Sequence, residues 1–357
     1  MRPFTLRRTT AAIATALLTA TMLGSVTPAS AAPAPPWVSV TGIIGTCNLS
    51  GSASLGTDAS FRIKHRRADG SLIKTTTVVP VAGQWELPCP GPAVTAGQRV
   101  EFFRGSETTP FRVFRVPRFE FLPDRAKEIL RGVATRKPDT VGVTVSACDP
   151  SGTDCEKIAD ANVEPSPSTG AWSLPIGDLR GGDRLSALWS KGMDNLYASG
   201  AVGQLVVTPG RRAITGGAPT PGRTVTVTLR RGSWTATGRT TVDVFGTFSV
   251  VLRRNGTRIT PKVGDVVTAD VASDAKVTVP SSFLTSGESD ILGRCFKNAL
   301  VTIIVRDPDG RPTHTSTQVA FEDGSFGDPY VLGPDERFDA YCANQRGDVL
   351  HLVGIPG

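Results

Sequence analysis

Apolar and polar residues alternate with a period of two along most of this chain. In Arg223-Thr224-Val225-Thr226-Val227-Thr228-Leu229, one face carries Val225, Val227 and Leu229 and the other carries threonines. That period, built from β-branched residues, predicts a half-buried strand. Matching runs are Ala59-Ser60-Phe61-Arg62-Ile63-Lys64, Thr140-Val141-Gly142-Val143-Thr144-Val145 and Leu300-Val301-Thr302-Ile303-Ile304-Val305. Turn chemistry follows at equivalent places, in Ala68-Asp69-Gly70, Asp149-Pro150-Ser151-Gly152, Arg231-Gly232-Ser233 and Pro308-Asp309-Gly310. A helical period is nearly absent. The one candidate, residues 123–130, aligns with 209–214 and reads better as an edge loop entering a strand.

The strands recur as four beats. Each opens on an apolar residue and glycine: Leu49-Ser50-Gly51, Leu130-Arg131-Gly132, Ile214-Thr215-Gly216 and Ile291-Leu292-Gly293, with glycines 81, 84 and 77 residues apart. The aromatic markers are Trp85, Trp172, Phe248 and Phe326. The expected closers are Gly97-Gln98, Gly182-Asp183, Gly264-Asp265 and Gly347-Asp348. Fixed-period self-similarity predicts a row of small repeated domains. The fold expected is all-β, four tandem Ig-like antiparallel sandwiches over 32–118, 119–201, 202–280 and 281–357. Short apolar junctions predict a semi-rigid rod of abutting units.

Residues 1–31 read as a cleaved secretion signal, with Arg2, Arg7 and Arg8 before a short apolar stretch and Ala29-Ser30-Ala31 at its end. A Pro/Ala leader follows over 32–36. In an exported chain, six cysteines imply disulfides. The repeat registry favours Cys47–Cys89, Cys148–Cys155 and Cys295–Cys342. Charge is uneven: the four segments carry net +5, −3, +7 and −5. That alternation suggests units with distinct surfaces, and the basic first and third units suit anionic partners.

Candidate chemistry is sparse. His65, His314 and His351 lie far apart and read as surface side chains without partners; no His-Glu-x-x-His or Gly-x-Ser-x-Gly occurs. Asp307-Pro308-Asp309-Gly310 has the opening of a calcium loop without its distal acid, and Asp149, Asp154 and Glu156 form a denser cluster. No cofactor and no resident metal are expected. Arg346-Gly347-Asp348 reads as the fourth closer, a strand entry rather than an adhesive tripeptide. The sharper binding candidate is Arg230-Arg231-Gly232-Ser233-Trp234 with Arg239, where arginines beside a tryptophan offer charge and a stacking face. Trp85, Trp172 and Trp189 read as core.

The whole resembles the bacterial Ig-like domains found in tandem in secreted and surface proteins. Gly246-Thr247-Phe248-Ser249-Val250-Val251-Leu252 followed by Val263-Gly264-Asp265-Val266-Val267 carries the resemblance best, and the Arg-rich, Lys-poor composition is similar to that of high-GC Gram-positive bacteria. What the resemblance implies is a non-catalytic structural, adhesive or ligand-binding module outside the cell; the mature protein is expected to be released, or held at the surface non-covalently. The expected partner is a cell-wall polymer, a glycan or another surface protein. Nucleic acid is not expected as the primary partner, and neither is a membrane span; oligomeric state stays open. Two alternatives stand beside this reading: binding of an anionic wall polymer through units one and three, and a hydrolase with an inter-domain site.

Overall fold

Every regular element in the computed structural model, which describes residues 37–55, 60–87, 89 and 93–354, is a β-strand. The expected secretion signal and Pro/Ala leader lie outside the described residues. The segment expected as the first unit contains β1 (Trp37–Val38), β2 (Thr41–Ile43), β3 (Leu49–Ser54), β4 (Phe61–Arg66), β5 (Leu72–Val78), β6 (Gln84–Glu86), β7 (Arg99–Arg104) and β8 (Arg112–Arg115), and the other expected units are named likewise below. The second contains β9 (Phe119–Asp124), β10 (Ile129–Ala134), β11 (Thr140–Cys148), β12 (Cys155–Val163), β13 (Ala171–Pro175), β14 (Arg184–Lys191) and β15 (Asp194–Ala201). The third holds β16 (Gln204–Val207), β17 (Ala213–Gly217), β18 (Thr224–Arg231), β19 (Trp234–Thr241), β20 (Thr247–Val251), β21 (Arg253–Arg254), β22 (Thr257–Arg258), β23 (Val266–Ala269) and β24 (Lys276–Thr278). In the fourth are β25 (Phe283–Ser286), β26 (Ile291–Arg294), β27 (Leu300–Arg306), β28 (Pro312–Val319), β29 (Ser325–Asp328), β30 (Arg337–Ala343) and β31 (Val349–Val353). Residues 123–130 form the end of β9, a turn and the start of β10, not a helix.

One strand order recurs. The second unit sets β13-β10-β9 against β12-β11-β14-β15, and the fourth sets β29-β26-β25 against β28-β27-β30-β31. The third repeats it as β20-β17-β16 against β19-β18-β23-β24, with the hairpin β21–β22 extending the second sheet. The alternation explains the burial: in β18, Val225, Val227 and Leu229 are buried and the intervening residues are not.

The repeated glycine and aromatic are one packing unit. Gly51 pairs with Trp85, Gly132 with Trp172, Gly216 with Phe248 and Gly293 with Phe326, each directly across two antiparallel strands. A Cβ on any of these glycines would run into the facing aromatic ring. The ring covers the bare backbone, so the pair is retained while the rest of each strand varies. Two residues before each aromatic, a glycine at positive φ closes the turn, and its carbonyl accepts an N–H from the end of the glycine-bearing strand or the residue after it. These bonds are Ala53 to Gly83, Ala134 to Gly170, Ala218 to Gly246 and Cys295 to Gly324, at 2.8, 2.7, 2.8 and 2.9 Å.

The units are not joined only end to end, as the rod expectation had it. Strand β2 lies parallel to β15, merging units one and two into an eight-stranded sheet. Likewise β16 lies parallel to β31, giving a seven-stranded sheet across units three and four. The buried side chains form two clusters along the same division, one over Val38–Val202 and one over Leu205–Leu352. Edge pairing satisfies backbone groups that a solitary sandwich would leave open.

Charged contacts cross the junctions. Arg112 bonds Asp194, and its guanidinium also donates to the Val38 carbonyl. Arg125, in the β9–β10 turn, is buried. It donates to Asp348 at 3.2 and 3.0 Å, to Asp274 at 2.7 Å, and to the carbonyls of Gly203 and Arg346 at 2.9 Å each. One guanidinium therefore ties the second unit to both that follow.

Cys47–Cys89, Cys148–Cys155 and Cys295–Cys342 are disulfide-bonded. The first and third are not equivalent, although the registry placed them alike. Cys342 lies within β30, so the third bond crosses between the two sheets with both cysteines buried. Cys89 lies beyond β6 and is exposed, so the first clips a loop.

Candidate functional site

Strand alternation divides the predicted binding residues. Leu229 faces the core, so Arg230 points outward and Arg231 inward. Arg231 donates to both Asp265 carboxylate oxygens at 2.7 Å and to the Thr260 carbonyl at 2.8 Å. Its guanidinium lies 5.0 Å from the Trp234 ring centroid, and Arg254 lies 4.5 Å from the same ring. Trp234 is half-buried against the core. Arg231, Trp234 and Arg254 thus stack together on the core-facing side at the edge of the sandwich, with Arg254 exposed, while Arg230 and Arg239 stand on the opposite face. The stacking platform expected from neighbouring positions is not assembled, because successive strand residues point to opposite sides.

What the sheet does assemble is a row. Cross-strand pairing aligns Lys276, Thr268, Thr228, Thr237, Arg253 and Arg258 across six strands. A second row runs Thr278, Val266, Arg230 and Thr235, and Thr226 pairs with Arg239 beyond it. At roughly 4.8 Å per strand the first row spans about 24 Å. Lys276, Arg230, Arg239, Arg253 and Arg258 are exposed, and none of them forms a salt bridge among the described residues. No carboxylate stands in these rows; Asp270 lies at the rim, its carboxylate accepting the Thr226 N–H. The basic first unit differs: Arg66 is paired with Glu101 and Arg112 with Asp194, and Arg62 bonds the Glu107 carbonyl.

The closer motif is real in three units and misplaced in the fourth. Thr95 N–H donates to Gln98, Arg180 N–H to Asp183 and Lys262 N–H to Asp265, at 3.0, 2.7 and 2.8 Å, just before β7, β14 and β23. The matching bond before β30 runs from Gly333 N–H to Glu336 at 2.7 Å, with Asp335 taking the positive φ of the usual glycine. Gly347-Asp348 instead lies one turn later, between β30 and β31. Asp348 is completely buried, bonded by Arg125 and by the Leu205 and Lys276 N–H groups at 3.0 and 2.9 Å. The Arg-Gly-Asp tripeptide therefore offers no exposed carboxylate.

The histidines are not unpartnered, as the sequence suggested. His65 is buried and bonds Gln98 at 2.9 Å; burial pushes its pKa down. His314 bonds Asp328 at 2.9 Å and stacks on Tyr330. His351 lies 3.2 Å from Asp339 and 3.0 Å from the Thr208 hydroxyl, and stacks on Tyr341. Thr208–His351–Asp339 has the order of an acyl-transfer relay and lines a 550 Å³ pocket with Arg211. The next two N–H groups after Thr208 in a position to donate, those of Gly210 and Arg211, are engaged with Pro261 and Thr208 carbonyls. The cluster lacks a local pair of amide donors for an oxyanion.

Asp149 is occupied as a loop cap, accepting N–H groups from Thr153 and Asp154 at 2.8 and 3.0 Å. Asp307 caps Arg311 N–H at 2.7 Å in the same way. Among the described residues no group of three or more His, Cys, Asp or Glu side chains converges as a metal requires. Nor does any described helix have the length and apolarity to cross a membrane.

No family model matches the chain, and no curated protein matches it in sequence. Among solved structures it is similar to a tetra-tandem repeat in the extending region of a large adhesion protein, at 16% identity over 89% of this chain and 98% of that one, TM-score 0.17. It is also similar to the BSP domain of a biofilm associated protein, at 9% identity over 91% and 96%, TM-score 0.18. A third likeness is to Salmonella α2-macroglobulin reacted with methylamine, at 11% identity, TM-score 0.19; this chain is covered over 91% and spans 30% of that one. TM-scores this low carry no argument, and the all-β fold rests on the strand order itself.

Proposed function

We propose that this chain is an extracellular, surface-associated adhesive or structural module, non-catalytic, that holds an anionic glycan or wall polymer on the outer sheet of its third unit. The observation that carries this reading is a set of exposed cations without salt bridges on one face, interspersed with threonines and with no carboxylate in their rows; among them Arg253 also donates to the Gly256 carbonyl at 3.1 Å. Cations left without an anionic partner on a sheet keep their charge available to a ligand, and neighbouring threonine hydroxyls donate and accept hydrogen bonds. The three disulfides support an oxidising compartment. The first unit is demoted as a binding surface because Arg62, Arg66, Arg112 and Arg118 are already engaged with carboxylates or carbonyls.

The test is affinity electrophoresis of the whole mature chain in dextran sulfate, polygalacturonate and polyphosphate, with neutral dextran as control. Retardation by at least one polyanion, weakened by salt and reduced on the order of tenfold in Arg230→Glu/Arg239→Glu, supports the reading. Retardation unchanged in that variant, or none in any polyanion, sinks it. A hydrolase reading draws on the Thr208–His351–Asp339 order. Turnover of a chromogenic ester that disappears in His351→Asn would favour it over ours.

A further inference from the structure

A groove of 1110 Å³ lies between the outer faces of two sheets, one from the second unit and one from the third. Ser146, Ser186 and Ser199 line one wall; Thr215, Thr247 and Ser249 line the other. The volume exceeds the roughly 300–1,000 Å³ typical of a pocket that closes around one small molecule. Its floor is fixed by backbone contact. Ala201 N–H donates to the Ala218 carbonyl at 3.3 Å, and a Cβ on Gly246 would lie 3.0 Å from the Gly200 Cα.

At one mouth stands Phe245, 77% exposed, the most exposed large hydrophobic side chain described. An exposed ring on a mobile loop would be unremarkable, but this turn is tightly bound. Asp243 accepts the N–H groups of Phe245 and Thr247 at 2.9 and 2.8 Å and the Thr247 hydroxyl at 2.6 Å. Its own N–H donates to the Thr247 carbonyl at 2.8 Å. The ring is thus presented on a rigid turn at the edge of a hydroxyl-lined channel. Arg184 and Asp243 also line the groove, so its formal charges cancel. That lining is unlike the cationic row on the other sheet of the third unit.

We infer that this groove binds an uncharged polysaccharide strand, with Phe245 stacking on a sugar ring and the serines and threonines exchanging hydrogen bonds with its hydroxyls. A neutral polyol matches a lining rich in groups that both donate and accept and that carries no net charge. A flat aromatic face suits the apolar side of a pyranose. This site is separate from the basic surface, and salt distinguishes them: neutral binding persists where electrostatic binding is screened.

The experiment is titration of the mature chain with cellohexaose, chitohexaose and maltohexaose in 0.5 M salt, watched by saturation-transfer NMR and calorimetry. The probes are run on wild type, Phe245→Ala, Thr215→Trp and Arg230→Glu/Arg239→Glu. Expected is binding of at least one hexaose that weakens on the order of tenfold in Phe245→Ala and is blocked in Thr215→Trp, which fills the channel. It should be unchanged in the arginine variant. Thermal melts check that both groove variants fold, as expected for positions that are exposed and outside the core. Absence of binding by all three hexaoses overturns the inference. So does binding indifferent to Phe245→Ala and Thr215→Trp, or binding that depends on Arg230 and Arg239.

Discussion

Asp183 and Asp265 occupy the same corner of successive units, each accepting the N–H three residues back and each almost wholly buried. Their chemistry is nevertheless opposite. Burial pushes the Asp183 carboxyl up to about 6, against which only the Arg180 and Cys148 N–H groups and a neighbouring Arg180 act. Burial also pushes Asp265 up, but Arg231 and the Lys262 N–H more than reverse it, holding the carboxyl below its ordinary value. The shared part is the cap, which the fold needs at every unit. The variable part is the cation beneath it, and that difference decides whether a buried carboxylate costs stability or contributes it. It also reclassifies Arg231, from a ligand contact to the partner of a buried charge.

The largest effect should come where a paired charge is most deeply buried. Arg125→Ala leaves the buried Asp348 carboxylate without its cation, held only by backbone N–H groups, and opens three further contacts between units, and should cost about 3–5 kcal/mol in urea unfolding. A near-neutral outcome would mean that the junction is held by strand pairing alone. Arg231→Ala removes the cation from Asp265 and one face of the Trp234 stack, and should cost about 2–3 kcal/mol. Arg231→Lys should recover part of this, since a point charge replaces a bidentate fork. If Arg231→Ala leaves stability unchanged and abolishes polyanion binding, the comparison fails and the residue returns to the binding surface.

Some of this was legible beforehand and some was hidden for definite reasons. The Gly–aromatic pairs were readable because a ring over bare backbone tolerates no Cβ, so the letters persist from unit to unit. The fourth closer was misread because Asp335-Glu336 performs the turn without the usual glycine, while Gly347-Asp348 carries the letters without the role. Lateral pairing of β2 with β15 and β16 with β31 uses backbone groups, which leave no side-chain pattern to read. The split between Arg230 and Arg231 was implicit in the alternation of their own strand: Leu229 inward already places Arg231 inward. The cationic row needed register, because Lys276, Arg253 and Arg258 reach Arg230's face only through cross-strand pairing.

Asp183→Asn sharpens the comparison from the other side. The folded carboxyl holds its proton up to about pH 6, whereas an unfolded aspartate releases it near its ordinary 3.8. Between those values the folded state binds more protons, so stability falls as pH rises. The benefit of the proton is complete below the unfolded value and gone above about 6. Asn cannot ionise, but it accepts only one of the two N–H groups that Asp183 takes from Arg180 and Cys148, so it carries a constant cost. On top of that cost, the stability difference should move by about 1–3 kcal/mol in favour of the variant from pH 4 to pH 7. Asp265→Asn should do the reverse, destabilising at pH 7. Urea unfolding at both pH values reads the two differences directly, and parallel curves for both variants would refute the assignment of the cation as the deciding element.

The smallest effect on stability belongs to the residues proposed to matter most for binding. Arg230→Ala and Arg239→Ala remove side chains that are exposed and make no salt bridge, so each should change stability by no more than about 0.5 kcal/mol. Relief of repulsion with Arg253 and Arg258 counts as a slight gain at low salt only if screening abolishes it. A loss well beyond that range in either variant would show that the outer face is held together by these arginines. Their charge would then be committed to the fold rather than open to a ligand, and the contrast between Arg230 outside and Arg231 inside would collapse.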